Sequence, residues 1–358
     1  MRLSFRSAGV LAPLALVVLL GAGCFGSTTP ATGPGVDGGV FRTSDQGVQW
    51  KQLTSLIVAG KIGSIADVGT ASIGMDPEDP AAVYVGTTQN GLLTSLDSGE
   101  SWIQVKGMTS GKINAIAVDP MNKCTVLVAK ANTIFKTTTC GRDWTQIFFD
   151  PKTDKLVTAL AVDWFNDRNV YAGTNEGDVF RSDDGGAAWR VLERIDGIKI
   201  STIAIDPRDS RTVYVATFGA GISKTTDGGG TWTDIKEPLK TFDNAMRLTG
   251  LVPDPTTANT VYHISRYGVL RSGDAGATWT ALTLPNPPGT VDIRAFAVHP
   301  RDSQQLVYAT DTSIVFSNDG GKTWTPKKLP TVRGVSFIAF DRNNPANLFL
   351  GAAVKQQQ

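Results

Sequence analysis

The sequence holds only two histidines and three cysteines, and it has no excess of charge of either sign: 34 Lys+Arg stand against 33 Asp+Glu, a formal net charge of +1 in 358 residues. His263 and His299 both fall at repeat positions within or beside expected strands, so a Ser-His-Asp triad or a histidine-based metal site has no support. The charge balance excludes an acidic solvating tail and gives no global electrostatic basis for nucleic-acid binding. Long hydrophobic runs are scarce too. The apolar centre from Val10 to Leu20 is short for a membrane span, which needs about 20 residues. What is plentiful is glycine, 38 residues, which disfavours a mainly helical fold and calls for many turns. With 41% hydrophobic residues the chain can still build a large core, which excludes disorder as a description of the whole.

Arg2 and Arg6 precede the apolar centre, as in a secretory signal, and the run ends Leu20-Gly21-Ala22-Gly23-Cys24. This resembles a bacterial lipobox, in which a small residue precedes a cysteine that becomes lipidated. It departs from the usual pattern at Gly21, since the Leu lies one place earlier. The resemblance implies a signal peptide over 1–23 and a lipid on Cys24. Phe25, not Asp, follows the cysteine, so the inner-membrane retention signal is absent. A Ser/Thr/Pro/Gly-rich stretch over 24–39, with Asp37 its one charge, reads as a flexible tether. The expectation is an extracytoplasmic protein tied to a bacterial membrane through lipid alone.

The rest of the chain repeats. Seven of the eight tryptophans end an octapeptide S/T-x-D-x-G-x-x-W. Its Asp and Trp are Asp45 and Trp50, Asp97 and Trp102, Asp184 and Trp189, Asp227 and Trp232, Asp274 and Trp279, and Asp319 and Trp324. The third copy, Thr137 to Trp144, carries Thr139 in the Asp place. Spacings between these tryptophans are 52, 42, 45, 43, 47 and 45, the range of one four-stranded propeller blade per repeat. Ser/Thr and Asp can bond turn backbone, Gly accepts a positive φ, and Trp packs beneath the hairpin. Each turn has too few carboxylates for a calcium cage, so no metal is expected there.

These octapeptides resemble the Asp-boxes, or BNR repeats, of sialidases, xyloglucanases, sortilin-type receptors and a photosystem II assembly factor. The resemblance covers residues 40–354 and implies a β-propeller.

A second half-repeat precedes every octapeptide but the first: strand, Asp-Pro turn, then a Val/Tyr-rich strand such as Val83-Tyr84-Val85 or Val213-Tyr214-Val215. The first octapeptide, with Val40–Thr43, has no half-repeat before it, and the last half-repeat, 336–354, has no octapeptide after it. Joined, they make one complete blade. The expected fold is therefore all-β, a seven-bladed propeller over 40–354 closed by the N-terminal and C-terminal strands, with no free edge.

Cys124 begins a strand in this reading and Cys140 lies in the degenerate turn, each eight residues from a hairpin centre at Asn132. That juxtaposition, in an exported chain, predicts a disulfide that makes up for the missing Asp; two free thiols are the alternative.

Ligands are expected at the channel mouth, on the face opposite the octapeptides and Asp turns. Just before successive inner strands stand Lys112, Lys155, Lys199, Arg247, Arg294 and Arg333, and the blade tips add Arg266, Tyr267, Phe218, Asn175 and Glu176. Such a ring of cations predicts an anionic partner: a protein, a peptide or a charged polymer. Phe41-Arg42-Thr43-Ser44 lacks the Arg-Ile-Pro motif of sialidases. Xyloglucanases pair two propellers and two catalytic Asp, and nothing here pairs Asp154, Glu176, Asp243, Asp292 or Asp311. No catalytic residue and no cofactor is assigned. The expected function is a monomeric binding or assembly scaffold, with a glycoside hydrolase as the alternative.

Overall fold

A computed structural model describes residues 36–58, 61–195 and 197–355. The expected signal peptide, the expected lipidation site Cys24 and most of the expected tether lie outside these residues. Among the described residues, no helix is long and apolar enough to cross a membrane.

Seven sheets, each with four antiparallel blade strands, form a β-propeller. Blade 1 takes its four main strands from Thr70–Met75, Val83–Thr87, Leu92–Ser95 and Ser101–Gln104. The inner strands of blades 2 to 6 are Ile113–Val118, Val157–Val162, Ile200–Ile205, Leu248–Pro253 and Ala295–Val298. Blade 7 draws on both ends of the chain, with Val335–Phe340 and Leu348–Ala352 pairing with Val40–Thr43 and Lys51–Leu53. Each inner strand packs beside the next, and the seventh packs beside the first. The ring has no open seam.

The Val/Tyr strands lie in the middle of each blade, where both faces are covered. That is why Val83–Thr87, Val170–Thr174, Val213–Thr217 and Leu348–Ala352 are buried at every position. Apolar clusters straddle neighbouring blades; Tyr84 of blade 1 packs with Val126 and Val128 of blade 2. Burial pushes the Tyr84 hydroxyl up to about 12, and the nearby Asp76 and Asp79 add to the shift. Glycine in these strands makes room for the next blade: a Cβ on Gly173 would stand 2.5 Å from Ile200. Near the mouth, a bulge early in the inner strand exposes a polar side chain that bonds the following blade. Asn114 donates to the Val157 carbonyl at 3.0 Å and Thr158 to the Ile200 carbonyl at 2.6 Å.

In the octapeptides the Ser/Thr hydroxyl accepts the N–H of the Gly four residues on, at 2.9 Å for Thr43 and Gly47, and donates to the Asp. The Asp in turn accepts backbone N–H groups further along the turn. The hydroxyls of Thr278 and Thr323, backed by their N–H groups, hold the Asp274 and Asp319 carboxyls down at about 2. In the preceding half-repeat the turn Asp is buried. Asp76 accepts from Glu78 and Asp79 within its turn, and its second oxygen takes the Cys124 N–H of the next blade at 2.8 Å.

A disulfide joins Cys124 and Cys140. Both residues have a left-handed backbone, φ 71° and 55°, and Cys124 sits in the Asp turn ahead of the strand, which starts at Val126. The same two positions are already in contact elsewhere: Ser98 N–H reaches the Ala81 carbonyl at 2.9 Å, and Gly228 that of Arg211 at 2.9 Å. The covalent link therefore reinforces a contact that recurs around the ring. Its turn is not without bonds of its own, since the Thr139 hydroxyl accepts the Asp143 N–H at 3.0 Å.

Two other features depart from the sequence reading. Residues 36–39, assigned to the tether, pack on the propeller: Gly38 and Gly39 N–H groups bond the Ala66 and Val68 carbonyls at 2.6 and 2.8 Å. The first Trp spacing is long because a hairpin, Ser55–Val58 and Lys61–Ser64, is inserted there and pairs with the outer strand of blade 1.

Candidate ligand-binding face

The inner strands all begin on one face, and the loops leading into them carry the six recurrent cations. Their environments differ. Arg333 is 4% exposed at its side chain and bonds Asp37 at 2.8 Å, with a further bond to the Asp67 carbonyl at 2.7 Å. The same carboxylate accepts the Thr331 hydroxyl and the Val332 N–H, and together these hold Asp37 below its ordinary value against the opposing effect of burial. Arg333 is thus a bolt between the N-terminal and C-terminal parts of the propeller, closed to any ligand.

Lys155 is enclosed by Asp150 and Asp178 and lies over the Phe180 ring. Burial opposes its charge, but the two carboxylates outweigh that and hold the ammonium above its usual range. Arg294 grips Asp311 with two bonds of 2.8 Å, which raises its pKa further, and Asp292 lies 3.8 Å away. Arg266 pairs with Asp292, and Tyr267 packs edge-on against Phe242 at 5.1 Å. At the tip of blade 3, Asn175 accepts the Leu156 N–H at 2.6 Å, and Glu176 pairs with Lys152 at 3.4 Å.

Three of the six remain. Lys112, Lys199 and Arg247 are exposed and make no ion pair among the described residues. Two of them are brought together. The Phe218 N–H bonds the Lys199 carbonyl at 3.3 Å, and Phe218 forms a β-bridge with Arg247. Phe218 itself is 56% exposed. An aromatic ring open to solvent is thereby flanked by two unneutralised cations on adjacent blades. The sequence placed all three at the mouth but could not show that they cluster while Lys155, Arg294 and Arg333 are neutralised. The partner acids Asp37, Asp150 and Asp178 carried no repeat signal.

Two carboxylates do approach each other at the mouth, Asp292 and Asp311 on either side of Arg294. Each faces a guanidinium, not the apolar wall that keeps a general acid protonated. His263 lies in the middle strand of blade 5, fully buried, and burial drives its imidazole down to about 4. Among the described residues no cluster of His, Cys, Asp and Glu is placed to hold a metal ion.

No protein-family model matches the sequence, and no curated protein matches it. Solved structures do resemble the fold. The GH74 xyloglucanase of Xanthomonas campestris is 17% identical with a TM-score of 0.66, over 85% of this chain and 52% of its own. The GH74 enzyme of Niastella koreensis is 21% identical with a TM-score of 0.65, over 80% of this chain and 51% of its own. YCF48 bound to a D1 peptide is 17% identical with a TM-score of 0.61, over 80% of this chain and 94% of its own. The likeness is one of fold. This chain spans about half the length of the GH74 enzymes and nearly the whole of YCF48.

Proposed function

We propose that this protein is an extracytoplasmic binding or assembly scaffold, held to a bacterial membrane by a lipid on Cys24, whose channel mouth recognises an acidic segment of a protein or peptide. The observation that carries the reading is the exposed Phe218 ring flanked by Lys199 and Arg247. Such a patch offers an apolar anchor and two charges, one of them a planar fork suited to carboxylates. The likeness to a peptide-bound YCF48 of similar length supports it.

The hydrolase reading draws on the GH74 likeness alone, and it needs two carboxylates free to act across a cleft. The mouth acids Asp292 and Asp311 are instead engaged with Arg266 and Arg294.

Acidic and charge-neutralised peptides of one sequence, titrated at two salt concentrations, test the proposal. Arg247→Gln should weaken binding of the acidic peptide roughly tenfold and flatten its salt dependence. Arg208→Gln, an exposed cation in an Asp turn on the opposite face, should leave binding unchanged. Equal loss from both substitutions, or none from Arg247→Gln, would overturn the mouth assignment. Turnover of a xyloglucan oligosaccharide would establish the hydrolase instead.

A further inference from the structure

The far end of the channel carries a second constellation, independent of the mouth. Directly after the turn Asp or His of each half-repeat stands a proline in five of the seven blades, at positions 77, 120, 207, 255 and 300. The two exceptions are Trp164 in blade 3 and Arg342 in blade 7. Those blades stand opposite one another in the ring, and their two unusual residues meet: the Arg342 guanidinium lies over the Trp164 ring, 4.0 Å from its centroid. Trp164 is the one tryptophan outside the octapeptides. Its indole N–H is fixed to the Ile205 carbonyl at 3.3 Å.

Trp164 also lines a cavity of about 300 Å³ at the same end of the ring. Its other walls come from the ends of the inner strands of blades 2 to 5, and Leu160, Ile203, Ala204, Leu251 and Val252 make it predominantly apolar. Arg342 approaches Trp164 from the opposite blade. Among the described residues it has no carboxylate within ion-pair distance. Asp341 beside it is already engaged, accepting the Asn343 and Asn344 N–H groups at 2.8 and 3.1 Å. Arg301 brings a second cation to this segment, donating to the Arg342 and Asn343 carbonyls. Enclosure without a counter-ion pulls the Arg342 pKa down to about 10. A partly buried guanidinium normally has an anion beside it. Here its π partner is in place, and no anion is supplied by the described residues.

We propose that this end of the channel is a ligand site for an aliphatic monocarboxylate, its chain in the apolar cavity and its carboxylate on Arg342. The planar fork stays stacked on Trp164 and presents its outward N–H groups to two carboxylate oxygens. An apolar tail desolvates the pair, and a guanidinium with no ion-paired carboxylate among the described residues favours a negative head group over a neutral one. The site is distinct from the mouth patch and would stand if the peptide reading failed.

Octanoate is the probe and octan-1-ol its uncharged counterpart, each titrated into the full chain by calorimetry and tryptophan fluorescence. Octanoate should bind saturably, one per chain, and octanol at least tenfold more weakly. Arg342→Gln should lose at least tenfold in octanoate affinity, Arg342→Lys less, and Arg247→Gln nothing. Trp164→Phe should remove most of the fluorescence response. Should Arg342→Gln fail to fold, the octanol comparison on the unaltered chain still decides. No saturable binding, equal binding of acid and alcohol, equal affinity in Arg342→Gln, or loss on Arg247→Gln would each overturn the site.

Discussion

The two faces of this propeller use recurrent polar residues in opposite ways. On the octapeptide face, Asp and Ser/Thr recur blade after blade, and their oxygens are consumed within a few residues: Ser272 by Asp274 and Gly276, Asp274 by Thr278. On the mouth face, cations recur at one position, but their partners do not. Lys155 has two carboxylates, Arg333 is locked to Asp37, and Lys199 and Arg247 have no ionic partner among the described residues. A local motif carries its own hydrogen-bond partners and so has one role wherever it occurs. A recurrent charge has whatever role its distant neighbours leave it.

The largest expected effect crosses that division, because it treats a mouth residue as part of the scaffold. Arg333→Leu leaves the Asp37 carboxylate without its guanidinium beside the seam where Val40–Thr43 pairs with Leu348–Ala352. Unpairing such a group costs about 3–5 kcal/mol, read as a drop in the urea midpoint. Arg247→Gln at the same blade position should shift it by less than about 0.5 kcal/mol. If the two variants unfold alike, closure rests on strand pairing alone.

His263 sharpens the comparison from inside the core, where the equivalent residues of blades 1, 2 and 4 are Val85, Val128 and Val215. Its imidazole titrates near 4 when folded, below the ordinary 6.5. The unfolded chain therefore binds the proton first. Stability due to the neutral ring is complete above about pH 6.5 and falls away as the pH drops towards 4, by roughly 3 kcal/mol. His263→Leu should lose this part of the acid sensitivity. An equal stability gap between the two proteins at pH 7 and pH 4.5 would mean that the ring is not held neutral.

The smallest effect belongs to the degenerate turn. Thr139→Asp restores the missing carboxylate and should add about 1 kcal/mol, comparable with a helix cap of the same chemistry. The gain should be visible in the denaturation midpoint of both oxidised and reduced protein. A gain only after reduction would show that the disulfide already supplies everything the Asp would.

Much of the scaffold was legible because its signals are short-range. The bonds that shape each octapeptide close within two to four residues, as from Thr43 to Gly47, so spacing alone exposes them. The half-repeats left over at the two ends specify how the ring closes. The inserted hairpin at 55–64 was visible only as a spacing of 52, and its place on the edge of blade 1 was not, because that pairing is parallel and between blades. At the mouth, position within the repeat located the cations, but their availability depends on acids such as Asp37, 296 residues from Arg333. The proline-to-Trp and proline-to-Arg exceptions at 164 and 342 were present in the sequence, yet nothing local relates them.

The sequence by itself determined the blade, the number of blades and the means of closing them, because each depends on backbone hydrogen bonds and apolar periodicity that act over a few residues. Only the tertiary structure decided which cations are neutralised, which stand beside Phe218, and that Arg342 meets Trp164 across the channel. Charge and burial act through space, and a closed ring makes neighbours of residues that the chain keeps far apart.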